Sequence, residues 1–368
     1  MIKVGYNYQT FTQQKYGGIS RIFSEIAPLI DRYDDFNVKI YAGLYQNQYL
    51  TDNLKIRIGG RKISYPPQGN RIFLALNPVF AKASLAIDRP DIVHETYYSN
   101  INTVPKKSKT VITVLDFIHE KFIKSVGYLD RNFPEVKAKA IRRADHIICI
   151  SENTRKDLLE IVDVDPKKVS TVYLANSFSN TSINNNKPLI NQPYLLYVGE
   201  RNALYKNFSR LLQAYGSSKM LRSNFKIVCF GSKSFSQNEM NMIKEAGINT
   251  NNILHYAGND SILANLYAHA AAFVYPSLYE GFGIPPLEAM SFNCPVVCSN
   301  TSSIPEVVMD AGEYFDPYDI DSMRFAIEKV VLSPDRCQIL KKNGKERVKF
   351  FSWDKCAKET ASIYQQLT

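Results

Sequence analysis

Short, uniformly apolar runs alternate along this chain with longer segments whose apolar residues return every three or four positions. The first pattern suits strands buried on both faces of a parallel sheet, the second amphipathic helices lying on it. In the first half the predicted strands are residues 2–6, 38–42, 91–95, 110–115, 145–150 and 169–174. Ile19, Ile22, Phe23, Ile26, Leu29 and Ile30 mark one buried helical face directly after Gly17 and Gly18. Further helices are predicted over 71–87, over 130–143, and from a Ser151 cap to about 161. Residues 10–15 and 50–70 read as polar or irregular. A second series of strands follows at 194–198, 227–230, 253–256, 272–275, 295–298 and 312–317, then helices over 319–332, 334–350 and 352–367. Between the two series, residues 176–192 are rich in Asn and Ser, lack apolar periodicity, and read as a linker.

The pattern is that of an α/β protein with two sheets, and 368 residues exceed a typical single core. Composition changes this picture little: 45% hydrophobic and 22% charged residues describe an ordinary globular chain. Met1-Ile-Lys-Val-Gly-Tyr reads as a first strand and not as a signal peptide, which with the cysteines implies a cytoplasmic protein. Cys149, Cys229 and Cys298 lie in apolar runs, as buried free thiols do, and Cys294 with Cys298 lacks a second ligand pair at zinc spacing. No metal site is expected. The net charge of +10 favours an acidic partner: nucleotide phosphates, an anionic membrane face or nucleic acid. Lys137, Lys139, Arg142 and Arg143 fall in one helix and read as a solvated surface; the 23 Tyr and 20 Phe come with no RNA-binding signature, so nucleic acid is set aside.

Candidate chemistry concentrates in residues 271–300, where a strand runs into Leu278-Tyr-Glu280-Gly281-Phe282-Gly283 and a helix opens at Pro285-Pro286. Glycines before a helix start admit a ligand close to backbone amides and favour an anion. Two carboxylates, Glu280 and Glu288, flank the loop; they accept hydrogen bonds only, and so suit a ligand that also offers hydroxyls. A sugar joined to a nucleotide diphosphate has both features. The alternative is a turn shaped by its glycines, with both carboxylates solvated. In the first half, His94 and Asp116 with His119 follow two successive strands, at the edge where open α/β sheets place ligands. His146, at a strand start, reads as structural.

Glu280-Gly-Phe-Gly-Ile284-Pro-Pro-Leu-Glu288 resembles the signature of two glutamates eight positions apart in the retaining GT-B glycosyltransferases of family 4. Gly199-Glu-Arg201 with Lys206-Asn207 resembles that family's basic loop after the first strand of the second domain. His94-Glu-Thr-Tyr97-Tyr and Asp116-Phe-Ile-His119-Glu120 resemble its amino-terminal stretches, except that Leu115 stands where many relatives have a histidine.

The resemblance implies two Rossmann-like domains facing across a cleft. An acceptor-binding domain would occupy 1–175, a linker 176–192 and a donor-binding domain 193–350, with 351–368 a helix crossing back to the first domain. It implies a nucleotide-sugar donor, a glycan or lipid-linked glycan acceptor, and no metal. Arg201 and Lys206 would neutralise the diphosphate. Glu288 would hold the ribose, and Glu280 with the loop Gly281, Phe282, Gly283 and Ile284 would orient the sugar. Gly17 and Gly18 would meet the phosphates; Gly199 and Gly231 would line the nucleotide site. His94, Tyr97, Asp116 and His119 would lie on the acceptor side. Mannose from GDP-mannose is the expected donor and surface polysaccharide the expected product, with a peripheral contact to an anionic membrane. A sugar-nucleotide epimerase and a non-catalytic binding partner are the alternatives. Ser303 with Glu306 reads as a capping box, and Asp260 or Ser261 as the next helix cap.

Overall fold

The computed structural model describes residues 1–51, 54–65, 70–122, 132–176, 178, 187–231 and 233–368. The remainder, including most of the Asn- and Ser-rich linker stretch and Ser232, lies outside the described residues. The chain divides into two compact units: Met1–Lys121, Val126–Leu174 and Ser352–Thr368 in the first, Phe122–Ser125 and Ala175–Phe351 in the second.

The first unit is built on strands β1 (Ile2–Tyr6), β2 (Phe36–Tyr45), β3 (Arg57–Lys62), β4 (Ile92–Glu95), β5 (Lys109–Val114), β6 (His146–Cys149) and β7 (Val169–Thr171). They form one sheet in the order β3-β2-β1-β4-β5-β6-β7, with every pairing parallel. β4 is buried at every position and β5 at all but its first, which is why each reads as a continuous apolar run. β3 corrects the expectation of an irregular 50–70: Arg57-Ile-Gly-Gly-Arg-Lys62 has no periodicity to betray it, yet it extends the sheet as a mostly exposed edge. A short helix, Gln9–Gln13, also stands where a polar loop was expected; its Gln9, Thr10 and Thr12 are buried.

The second unit repeats the plan. β8 (Tyr194–Val198), β9 (Lys226–Phe230), β10 (Ile253–Tyr256), β11 (Ala272–Tyr275), β12 (Val296–Ser299) and β13 (Gly312–Phe315) form a parallel sheet in the order β10-β9-β8-β11-β12-β13. Strand order reverses between β8 and β11, and ligands of such sheets bind beyond the carboxyl ends at such a point. A core of Leu195, Tyr197, Phe208, Leu212, Ile227 and Val274, among others, locks helices onto one face.

The helix Trp353–Leu367 returns to the first unit, as expected, and packs on the helix Gly18–Ile30. Its Tyr364 hydroxyl meets Tyr6 at 2.9 Å and the His94 Nδ1 at 2.6 Å. Two cap expectations are corrected. Asn259 and not Asp260 or Ser261 caps the helix Asp260–His269, accepting from the Ile262 amide at 3.2 Å. Ser303 makes no capping bond; its hydroxyl is engaged elsewhere.

Candidate active site

Parallel strands deliver their following loops to one edge of the sheet, so the turns after β8, β9, β11 and β12 lie together in the second unit. Gly199 and Gly231 end β8 and β9 with φ of +145° and +95°, values that a side chain would strain. After Gly199 the chain runs to Lys206 and Asn207; Asn207 is left-handed (φ 58°) and opens the helix Phe208–Ser217. Its side-chain amide donates to the carbonyls of Pro276 (3.0 Å) and Pro317 (2.8 Å), binding this loop to those that follow β11 and β13.

Lys206 Nζ lies 2.7 Å from Glu280 Oε1, with both side chains largely buried. Tyr275, at the end of β11, also hydrogen-bonds the Glu280 carboxylate; burial first, then that negative charge, hold its phenol protonated far above the usual range. The loop itself is pinned from β12. Ser302 Oγ accepts from the Glu280 amide at 2.9 Å, and Ser303 Oγ points its one proton at the carbonyls of Glu280 (2.9 Å) and Phe282 (2.8 Å). Ser302 holds φ at +52° to do this. Neither serine was legible as a site residue, since Ser-Ser before Ile-Pro-Glu reads as a helix start.

Gly283, at φ +113°, turns the loop into the helix Ile284–Ser291. Pro285 and Pro286 carry no N–H, so the amides at this helix start are those of Gly283 and Ile284. Glu288, one turn on, is buried and accepts from the Tyr267 hydroxyl at 3.0 Å.

Arg201 and Lys206, expected to act alike, are not equivalent. Arg201 is buried, with its Nε 2.6 Å from Glu239 and its Nη atoms donating to the carbonyls of Gly231 and Lys233. Burial would raise the Glu239 carboxyl, but the Ser236 amide and the guanidinium outweigh it and hold it below its ordinary value. Arg201, expected to neutralise the diphosphate, here ties the turn after β8 to the turn after β9. Gly231, whose carbonyl also meets His255 Nε2 at 3.0 Å, belongs to the same knot.

In the first unit the expected acceptor-side residues separate into two groups. His94 is fully buried; its ring stacks on Tyr6 (5.3 Å), with Nδ1 on Tyr364 and Nε2 2.8 Å from Thr113 Oγ1. It is a core histidine, and the assignment to an acceptor is corrected: both nitrogens are used inside the fold. Burial lowers its pKa from the usual 6.5 to about 3. The unfolded chain takes up this proton below pH 6.5 and the folded chain does not. The stabilisation is therefore complete above pH 6.5 and lost as the pH falls toward 3, by about 2 kcal/mol at pH 5. Urea unfolding at pH 7 and pH 5 should show a larger drop for the wild type than for His94→Gln.

Tyr97, Asp116 and His119 do come together. Phe133 lies 5.7 Å from Tyr97 and 4.4 Å from His119, centroid to centroid. Asp116 Oδ1 accepts from the Ile118 amide at 3.1 Å, and His119 Nδ1 is buried without a hydrogen-bond partner among the described residues. Lys137, expected at a solvated surface, is buried beneath this turn: its ammonium donates to the Asp116 carbonyl, pairs with Glu120 at 3.2 Å and sits 3.8 Å over Phe117. Arg143, the C-cap of the helix Phe133–Arg142 that carries Lys137, is likewise turned inward, clasping the fully buried Glu95 at 2.6–2.7 Å. Leu115, buried, gives its amide to the Tyr98 hydroxyl. Gly17 and Gly18 open the helix Gly18–Ile30, but Gly17 is extended and Gly18 has open space where a Cβ would stand. The Gln14 side chain accepts from the Ser20 amide in that first turn, and it fills the space where a Gly17 Cβ would stand.

Residues 16–175 match the model of glycosyltransferase family 4, and residues 180–347 that of glycosyl transferases group 1. The chain belongs to these glycosyltransferases. Among relatives of this glycosyltransferase, O-antigen chain mannosyltransferase B of Escherichia coli is 33% identical over 253 residues, covering 66% of this chain and 65% of that one. O-antigen chain mannosyltransferase RfbU of Salmonella typhimurium is 29% identical over 241 residues, covering 64% of each. The glycosyltransferase thus spans just under two thirds of these relatives' length. Its GT-B fold is similar to that of sucrose-phosphate synthase from Thermosynechococcus elongatus, with a TM-score of 0.75 at 17% identity, over 100% of this chain and 99% of that one.

Proposed function

We propose that this glycosyltransferase moves a hexose from a sugar nucleotide to a hydroxyl of a glycan acceptor, with retention of anomeric configuration and without a metal. The observation that carries the reading is the Lys206–Glu280 pair beside the Gly283 helix start. A fixed ammonium and fixed amides would meet the charge that a departing diphosphate gains, and a carboxylate beside them could accept from sugar hydroxyls. Preorganised donors of this kind stabilise a leaving group without rearranging as charge develops. Glu288 would accept from the ribose hydroxyls, in exchange for or alongside Tyr267. Glu280 would orient the sugar and Lys206 would balance the diphosphate; Arg201 would act through the loop it fastens. On the acceptor side, Asp116 and His119 are the groups that would meet the incoming hydroxyl, beside Tyr97.

Mannose from GDP-mannose is the favoured donor, supported by the O-antigen mannosyltransferases at 33% and 29% identity. A lipid-linked glycan of O-antigen, capsule or exopolysaccharide assembly is the favoured acceptor, met at a membrane surface. Incubation with GDP-mannose and with UDP-hexoses, each with and without a polyprenyl-linked oligosaccharide, tests the reading. Nucleotide release that requires acceptor is expected with GDP-mannose; an isomerised donor, or binding without turnover, would overturn it. Glu288→Gln should weaken nucleotide binding about tenfold with little change in the rate of the bound complex, as loss of one charged hydrogen bond to the ribose implies. Calorimetric titration with GDP and GDP-mannose checks this; a variant that binds as tightly as wild type would remove Glu288 from the site.

A further inference from the structure

We propose that Lys137 is a positioning residue for sugar transfer: it holds the turn carrying Asp116 and His119 in the arrangement that meets the acceptor hydroxyl, a role that rests on the functional reading above. Lys137 is buried on the inward face of the helix Phe133–Arg142, together with Ala140 and Ile141. By spacing alone, a methionine or leucine would complete that face. Stability does not call for a cation there, since a buried ion pair gives a fold little that well-packed apolar side chains do not. What the lysine adds is direction. Its ammonium donates to the Asp116 carbonyl and pairs with Glu120 at 3.2 Å, so one charge holds both ends of the segment 116–120 that contains His119. Burial lowers the pKa of this ammonium, and the carboxylates of Asp116, Glu120 and Asp157 each pull it back.

The same helix reaches the neighbouring strand end. The Lys137 ammonium lies 5.4 Å from the Tyr98 ring and 3.8 Å from that of Phe117, and the Tyr98 hydroxyl accepts from the Leu115 amide at 3.1 Å. Arg143, at the helix end, donates to the Ser99 carbonyl at 2.5 Å and holds Glu95, so Tyr97 lies between two fastened points. Phe133, at the helix start, sets its ring against Tyr97 and against His119. The Asp116 carboxylate is steered within its own turn by the Ile118 amide, and His119 Nδ1 is buried without a partner among the described residues. Such a nitrogen costs the fold a missing hydrogen bond, which a ligand hydroxyl would supply. Geometry of this kind tolerates little error: a displacement of about 1 Å can slow a reaction about 10²-fold.

The experiment compares the full chain as wild type with Lys137→Met and Glu120→Gln. The second variant leaves the lysine in place and removes only the charge at the far end of the turn. Hydrogen exchange, measured without nucleotide or glycan, should be about tenfold faster over 115–121 in both variants and little changed over β1 and β2. With GDP-mannose and a polyprenyl-linked oligosaccharide, kcat should fall about 10–100-fold in Lys137→Met and less in Glu120→Gln. Affinity for GDP, held in that reading by groups of the second unit, should not change. A melting temperature close to that of the wild type separates this from a general loss of stability. Unchanged exchange over 115–121 in both variants would overturn the proposal, whether or not sugar is transferred. So would a loosened turn with undiminished kcat, or protection lost evenly across the first unit in both variants. A wild type that transfers no sugar would overturn the functional reading and this role with it, while the exchange measurement would still show whether Lys137 fastens the turn.

Discussion

Lys206→Ala is expected to slow sugar transfer by about 10²–10³-fold, most of it in kcat, as when a preorganised stabiliser of developing charge is removed elsewhere. The reason lies in the order of events. Before bond breaking the diphosphate is already neutralised in part by solvent; as the bond to the sugar breaks, charge moves onto the departing oxygen, and only a fixed cation meets it without rearrangement. Lys206 is fixed because Glu280 holds it at 2.7 Å and because the rings of Tyr205 and Tyr275 lie 5.4 and 5.6 Å from its ammonium. The alanine variant also leaves Glu280 with the Tyr275 hydroxyl as a side-chain donor but without its cation. Glu280→Gln in the same background separates the two causes. If Lys206 acts on the leaving group, the double variant is at least as slow as Lys206→Ala; if the defect is an uncompensated carboxylate, the rate rises above that of Lys206→Ala. Rapid-quench measurement of the chemical step, with donor affinity measured separately, distinguishes these outcomes.

The second large effect is on stability. Glu95 has no exposed surface and receives two hydrogen bonds from Arg143. Arg143→Met should destabilise the first unit by about 3–5 kcal/mol at pH 7.5, the cost of leaving a buried charge without its partner. The pH dependence has a definite sign. Burial raises the Glu95 carboxyl from 4.5 to about 7 even against the pull of Arg143, and without Arg143 it would be raised further. A group whose folded pKa exceeds its unfolded one stabilises below the unfolded value and loses that contribution as pH rises. The variant should therefore lie closest to wild type near pH 4.5 and fall away toward pH 8. Glu95→Gln with Arg143→Met should restore part of the loss at pH 7.5. Denaturant unfolding of the three proteins across this range gives the answer; a pH-independent deficit would mean that lost packing, and not the charge, is what the arginine supplies.

The two sheets could be read from the chain because parallel strands are buried on both faces, and Asp145–Ile150 or Tyr194–Val198 have no other reading. β3 could not, because an edge strand needs no apolar face, and Arg57-Ile-Gly-Gly-Arg-Lys62 is shaped by what it avoids. The glycine loop and its two glutamates were legible because spacing within one turn of chain fixes their geometry. What escaped was set by distant partners. His94 resembles a site residue at a strand end until Tyr364, 270 positions later, accounts for its ring. Arg201 reads as an open cation until Glu239 closes on it, and Lys137 as a surface lysine until Asp116 and Glu120 fold over it. Ser303 failed for a local reason: the same hydroxyl can cap a helix or hold a carbonyl, and the choice depends on where the preceding loop passes.

Tyr364 also bears on how the protein is made. The ring that completes the packing around Tyr6, Phe36 and His94 leaves the ribosome after every strand of the second unit has been synthesised. The first sheet therefore waits, with part of its interior open, while the second unit emerges, although domains more often finish in the order of synthesis. During that interval, the apolar surface that the helix Trp353–Leu367 later covers stays open to solvent.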